Sequence, residues 1–436
     1  MRQGCSTADW KTLALAQDGS VILQTSVSDR VFAGAPSVVA LPGGRIVAAM
    51  DQFGPGVRDL PGTKGKLTQY NRWLQGCIYT SNDKGQTWVH RADFPFCNPC
   101  LFRDGATLYL IGHDDNLQII KSLDGGETWS KPAALTRDGG YGDTSPQAPA
   151  SVFAANGYLY AVAMKIADAS QGGSLYSRLT PVLMRAAQNS GLASAKAWSF
   201  FSPEKTLAAL LPAGVPEGFG VPLFPAGDKG QGLEVSRGRR ANPAGWSAGH
   251  AVQVRDPRHL WYDARSHAVY LLFRADLHRS NTAILMKATE DAAGGVVFAF
   301  ERAPSGKSWA LLPLPGGQAK FDILFDEPSG FYWLAGNQAT DSMTRPERLP
   351  EARTGLPCDE THRLQLHFSR NLVDWCFAGL ITTGSQPQEH RHSCSLAVRG
   401  SDLCAVCCSG DATSRTPAET SRITFHLIPD FRELAY

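Results

Sequence analysis

The chain has 436 residues, 43% of them hydrophobic, with 43 Gly, 27 Pro and 9% aromatic residues. It can bury a large core, and the composition favours many short strands and tight turns over long helices. A formal net charge of +2, with no Lys/Arg run, excludes the electrostatics of nucleic-acid or membrane-surface binding, and no apolar stretch of about 18 residues offers a membrane span.

The opening residues, Met1 to Trp10, lack the basic and apolar regions of a signal peptide, so the chain as given reads as cytoplasmic, or as a secreted domain without its leader. Ten cysteines, two of them adjacent at Cys407 and Cys408, favour a reducing compartment.

In chain order, Gly19 to Gln24 offers an amino-terminal strand, and six β-hairpins follow. Ser37–Ala40 turns at Pro42-Gly43-Gly44 into Ile46–Ala48. Pro99–Phe102 turns at Asp104-Gly105 into Leu108–Ile111. Ala150–Phe153 runs through Asn156-Gly157 to Leu159–Val162. The fourth hairpin pairs His259–Tyr262 with Ala268–Phe273, the fifth Phe321–Phe325 with Phe331–Leu334, and the last Ser395–Val398 with Leu403–Val406. A third apolar strand follows most of them (Pro181–Met184, Ala283–Met286, Leu364–Phe368). An aromatic-led fourth opens near Trp88, Trp129, Trp198 and Trp375, and near Phe298 or Phe300 in the fourth unit.

Between third and fourth strands an octet recurs. Ser81-Asn82-Asp83-Lys84-Gly85-Gln86-Thr87-Trp88 returns 41 residues later as Ser122-Leu123-Asp124-Gly125-Gly126-Glu127-Thr128-Trp129, and Ser369 to Trp375 is an eroded copy. Asp accepts backbone N–H groups in such a turn, Gly takes positive φ, and Trp starts the next strand with a ring to bury. This pattern resembles the Asp-box family, the repeat of sialidases and related β-propellers.

The resemblance implies a six-bladed β-propeller of four-stranded antiparallel blades, read as one domain over residues 1–436, with the octets on the rim away from the active site. The 108 residues from Asn156 to Ala264 exceed one blade. They imply an inserted loop at about 203–245, or alternatively a seventh, degenerate blade. Residues 340–361, with Arg345, Glu347, Arg348, Glu351 and Arg353, read as a solvated connection.

In propellers, ligands bind where loops converge on the central channel. A sialidase uses three arginines for the substrate carboxylate, a tyrosine nucleophile with a glutamate partner, and an aspartate acid/base. Arg274 resembles the second arginine and Arg363 the third, and arginine's planar fork suits a carboxylate. The first is replaced by glycine in Gly34-Ala35-Pro36. No glutamate stands in Trp246 to Val252, and no tyrosine in Arg391-His392-Ser393-Cys394-Ser395-Leu396.

Histidine and arginine are offered instead. Arg391 is a third candidate for the carboxylate, and His392 for proton transfer. His250 and His113 converge from the fourth and second blades. Asp59 is the nearest match to the acid/base aspartate, in a loop with Arg58 whose Tyr70 and Trp73 can form a sugar-stacking wall.

Cys97-x-x-Cys100 and Cys404-x-x-Cys407 have zinc-like spacing, but residues three apart on a strand point to opposite faces. They read as strand packing, and neither metal nor cofactor is expected. The expected function is a glycosidase removing a terminal acidic sugar, sialic-acid-like or uronic, from a glycan. The alternatives are a non-catalytic glycan-binding propeller and a histidine-assisted lyase on the same scaffold.

Overall fold

Short apolar runs, buried almost continuously in the middle strands and mostly joined by Gly-, Asn- or Asp-led turns, fold into six antiparallel sheets of four strands arranged as the blades of a propeller. The computed structural model of the protein describes residues 13–65, 73–136, 147–167, 175–211, 217–218, 221–222, 233–236, 239–241, 245–265, 267–276, 280–306, 308–342, 344, 348, 360–386, 388–414 and 416–436. Tyr70, Arg345, Glu347, Glu351, Arg353 and most of 203–245 lie outside them. Between Phe201 and Trp246 the described residues form a short helix, Leu207–Leu210, and two small ribbons. Among the described residues no helix is long and apolar enough to cross a membrane.

Blade one contains Phe32–Ala40, Ile46–Phe53, Gln75–Ser81 and Val89–Phe94. Blade two contains Cys97–Asp104, Thr107–His113, Leu117–Ser122 and Ala133–Ala134, and blade three Val152–Ala155, Tyr158–Ile166, Leu179–Ala187 and Trp198–Phe201. Blade four begins at Trp246–Val252 and continues through Ala268–Ala275, Thr282–Glu290 and Val296–Ala299, with Leu311–Pro313 added beside its third strand. Blade five is Asp322–Asp326, Phe331–Gly336, Arg363–Ser369 and Cys376–Thr383. Blade six takes Arg391–Arg399, Asp402–Ser409 and Arg422–Ile428 from the carboxyl end. Its outer strand is Ser20–Gln24 from the amino end, where the sequence offers a strand.

One hairpin differs from the sequence reading. The inner strand of blade four is Trp246–Val252, not His259–Tyr262, which turns in the connecting loop. Fifteen residues, 253 to 267, separate the inner strand from its partner Ala268–Ala275 in place of a tight turn, which hides the pairing.

Each inner strand packs against the inner strands of both neighbours, so the six close a ring around a central channel. Between blades the sheets pack face to face. Ile46, Ala48 and Met50 of blade one meet Val406, Cys408 and Ile423 of blade six, and Val162 and Met164 of blade three meet Leu271 and Phe273 of blade four. Each large side chain buried in this way contributes about 1.5–3 kcal/mol of hydrophobic stabilisation.

The octet turns are built as their chemistry requires. Asp83 Oδ1 accepts the N–H groups of Gln86 and Thr87, each at 3.0 Å, Ser81 Oγ accepts that of Gly85 at 2.9 Å, and Trp88 Nε1 donates to the Gly85 carbonyl. Asp124 and Ser122 repeat the scheme. In the eroded copy Asn371 stands in for Asp, accepting from Val373 and Asp374, and Leu372 takes the positive φ of 67° that glycine takes elsewhere.

Candidate functional site

Strand direction fixes which residues share a face. In an antiparallel blade the second strand ends, and the first and third begin, at the end opposite the turn between third and fourth strands. The octets therefore mark one face. Arg274, Arg363, Arg391, His392 and the loop holding Asp59 and Trp73 lie at the other.

On that other face four inner strands open with a bulge: between Gly34 and Ser37, Cys97 and Cys100, Ser247 and His250, and His392 and Ser395. Each holds one residue at positive φ, namely Ala35, Asn98, Ala248 and Ser393, between 44° and 51°. Bulges re-aim strand ends. Here they bring Pro36, Asn98, Ala248 and Cys394 together around a cavity of about 180 Å³ at the channel mouth.

Arg274 lines this cavity from the end of the second strand of blade four. Its guanidinium lies over the Tyr176 ring, 5.1 Å from the centroid, and its Nε donates to the Gln318 carbonyl at 3.0 Å. No other partner among the described residues takes its terminal nitrogens. Lys320 also lines the cavity, and its amine makes no hydrogen bond or ion pair among the described residues.

Asp322 begins the inner strand of blade five and is 6% exposed. One carboxyl oxygen accepts the Leu396 N–H at 2.7 Å, and the other lies 3.5 Å from His250 Nδ1. Burial pushes its pKa up to about 7, against the hydrogen bond from Leu396 and the nearby Lys320 charge.

His250 is a bonded part of the wall. Its Nε2 faces the Phe321 carbonyl at 3.0 Å and must donate, leaving Nδ1 to accept from Ser151 Oγ at 2.9 Å. Burial holds its pKa down to about 3, so the ring is neutral. The Nδ1 lone pair beside Asp322 disfavours an ionised carboxylate there, in keeping with the raised pKa.

Asp51, on the second strand of blade one, is a second buried carboxyl behind the lip, accepting the Asn98 N–H at 2.8 Å. Its pKa is raised by burial. Gly34 pairs with Asp51 in register, and a Cβ there would lie 2.8 Å from the Asp51 carboxyl and 2.9 Å from the Phe53 ring.

The other expected residues sit differently. His392 is held by Ser393 Oγ at 2.9 Å and the Pro417 carbonyl at 2.8 Å. Its pKa falls to about 4 through burial, with the charges of Lys320 and Arg274 adding to the effect. Arg391 spends its Nη1 on the carbonyls of Glu389, His390 and Gly410. Arg363 pairs with the buried Glu360 at 2.6 Å, and neither Arg363 nor Arg391 lines the cavity.

Asp59 is exposed in the turn Pro55–Asp59 and bonded to its neighbour Arg58 at 2.9 Å. Trp73 is half-buried before Gln75–Ser81 and also off the cavity. His113 accepts the Ala148 N–H at 3.1 Å across to blade three. Cys97 and Cys100 straddle the bulge of blade two, and among the described residues no group of three or more His, Cys, Asp or Glu is placed to hold a metal ion.

Lys320, Asp322, Asp51 and Tyr176 were not singled out from the sequence. Asp51 and Asp322 had a signal: each is a carboxylate at or near the end of an apolar strand. Lys320 and Tyr176 had none, since both lie in connections.

No family model matches the chain, and no curated protein matches it. Its fold is similar to that of a protein of unknown function from Dyadobacter fermentans DSM 18053, at 12% identity over 95% of this chain and 98% of that one, with a TM-score of 0.53. It is also similar to Trypanosoma rangeli sialidase in complex with the inhibitor DANA, at 12% identity over 97% of this chain and a TM-score of 0.52. This chain spans 60% of that sialidase's length. A Penicillium chrysogenum α-L-arabinanase complexed with arabinobiose matches at 13% identity over 95% of this chain and 98% of that one, with a TM-score of 0.49.

Proposed function

We propose that this protein is a carbohydrate-active enzyme, an exo-acting glycoside hydrolase that takes a terminal acidic sugar of a glycan at the channel mouth. The observation that carries the reading is the pairing of two cations, Arg274 and Lys320, with the buried carboxyl of Asp322 around one small cavity. A sialidase sharing the fold supports it.

In this reading the free terminal nitrogens of Arg274 and the Lys320 amine hold the sugar carboxylate, and Tyr176 keeps the Arg274 plane in place. Asp322, carrying its proton below about pH 7, supplies it to the leaving oxygen as a general acid with a raised pKa does, while a solvent water bonds to the sugar carbon as the glycosidic bond breaks and returns a proton to the Asp322 carboxylate. The cavity is smaller than the roughly 300–1,000 Å³ of drug-sized sites, which suits one sugar ring.

The test is turnover of an acidic aryl glycoside and its neutral counterpart by wild type, Arg274→Ala and Lys320→Met. Loss of a charge-assisted hydrogen bond worth about 1.5–3 kcal/mol lowers kcat/KM on the acidic substrate by roughly 10- to 100-fold. Unchanged kinetics would overturn the carboxylate assignment. Glycan binding with no product released by the wild type would replace the enzyme with a binding propeller.

A further inference from the structure

We propose that the groove between the first and last blades is an outer glycan-binding subsite, which takes the sugars that follow the terminal one; this rests on the function proposed above. The groove is larger and more open than the mouth, about 1060 Å³ against about 180 Å³. It lies on the same face, because its walls are the entry to the first inner strand, the exit of the second strand of blade one, and the loop after the second strand of blade six.

Its lining suits sugar. Phe32 and Phe53 are both half-buried and form a tilted pair with ring centroids 5.6 Å apart. Exposed aromatic faces pack against the C–H faces of sugar rings, burying apolar area without competing for hydroxyls. Around them stand polar groups for those hydroxyls: Arg30, Asp411, Thr413 and Glu419.

The groups are held in place. Asp411 accepts from Thr413, Ser421 and Arg422, which keeps its carboxyl ionised and orders the loop. Arg30 is exposed, and its guanidinium makes no hydrogen bond or ion pair among the described residues. Its backbone is fixed at φ 58° with its carbonyl accepting from Gly56. Gly54 lets the walls meet, since a Cβ there would lie 2.1 Å from the Arg30 carbonyl.

The groove also adjoins the mouth. Pro417, in the blade-six loop, accepts from His392. The same loop accepts the Ala33 N–H at the Thr420 carbonyl, 2.9 Å away. Phe53 packs over Gly34 on the side where Asp51 reaches it. Phe32 lines the groove and Pro36 the mouth, four residues apart on one strand, so in this proposal a chain leaving the mouth past Gly34 enters the groove.

The experiment is calorimetric binding to two matched pairs of probes: sialyllactose with methyl sialoside, and a glucuronate-terminated trisaccharide with methyl glucuronide. Wild type is expected to bind one trisaccharide at least 10-fold tighter than its methyl glycoside. Phe53→Leu, and the surface variant Arg30→Ala with an unchanged melting temperature, bring that ratio toward one. Arg274→Ala weakens both members of the pair and keeps the ratio. Equal affinity of wild type for both members, or a ratio untouched by Phe53→Leu and Arg30→Ala, overturns the subsite while leaving the mouth reading intact. No binding of any of the four probes overturns the mouth reading and the subsite together.

Discussion

Asp322 and the buried histidines make opposite demands on pH. The folded-state pKa of Asp322 is raised to about 7 from 3.8, so the fold keeps a proton that the unfolded chain has lost. The resulting stability is complete below about pH 4 and is lost as pH rises through 7. Asp322→Asn should therefore gain on the wild type between pH 4 and 7, by up to about 1.4 kcal/mol per pH unit, and then level off. Urea unfolding across that range measures it. In the proposed enzyme the same substitution removes the activity, and wild-type activity declines above about pH 7.

His113, His250, His367, His390 and His392 are held neutral by burial, with pKa values of about 3 to 4. Their depressed values work the other way: their contribution is complete above about pH 6.5 and lost as pH falls. Five histidines outweigh the two raised carboxyls, Asp51 and Asp322, so the melting temperature should drop steeply between pH 6.5 and 4. Gly34→Ala probes the lip, because the new Cβ would press on Asp51 and Phe53 at 2.8 and 2.9 Å. A destabilisation of about 1–3 kcal/mol is expected, read by chemical denaturation.

Among the elements, the octet turns are local devices, and their hydrogen bonds stay within one turn. Half-buried in its turn, Asp83 has its pKa lowered to about 2, chiefly by the Thr87 hydroxyl. Asp83→Ala should lower the melting temperature, as loss of a turn or cap acceptor does, and leave turnover per folded molecule unchanged, because the turn lies on the face away from the mouth. Such turns are legible in sequence because every partner is within a few residues. The inner strand of blade four was not, because fifteen residues, 253 to 267, part it from Ala268–Ala275 where the other hairpins have a tight turn.

For the molecule as a whole, the ring is closed by an amino-terminal strand on a carboxyl-terminal sheet. Ser20–Gln24 pairs with Arg422–Ile428, and Trp88 Nε1 donates to Ser20 Oγ from blade one at 3.0 Å. Removing the chain through Gln24 would leave the edge Arg422–Ile428 open, an invitation to aggregation. The truncated protein is expected to melt well below the full chain and to elute partly as aggregate in size-exclusion chromatography.

The four-stranded blades, most of their hairpins and the rim turns follow from residues close in sequence: the octets at Ser81 and Ser122, the Gly- and Asn-led turns, and the short apolar runs between them. Local hydrogen bonding and short apolar runs are written in neighbours, so they can be read without coordinates, whereas six blades rather than seven, and the pairing that closes them, are decided by the ring. Arg274 could be read too, since it ends a well-marked strand. The rest of the mouth, Tyr176, Lys320 and Asp322 with Asp51 behind the lip, comes from three blades and their connections. Only packing around the ring decides which of them meet, which histidine is tied up by a carbonyl, and that a glycine at position 34 makes room for a buried carboxylate.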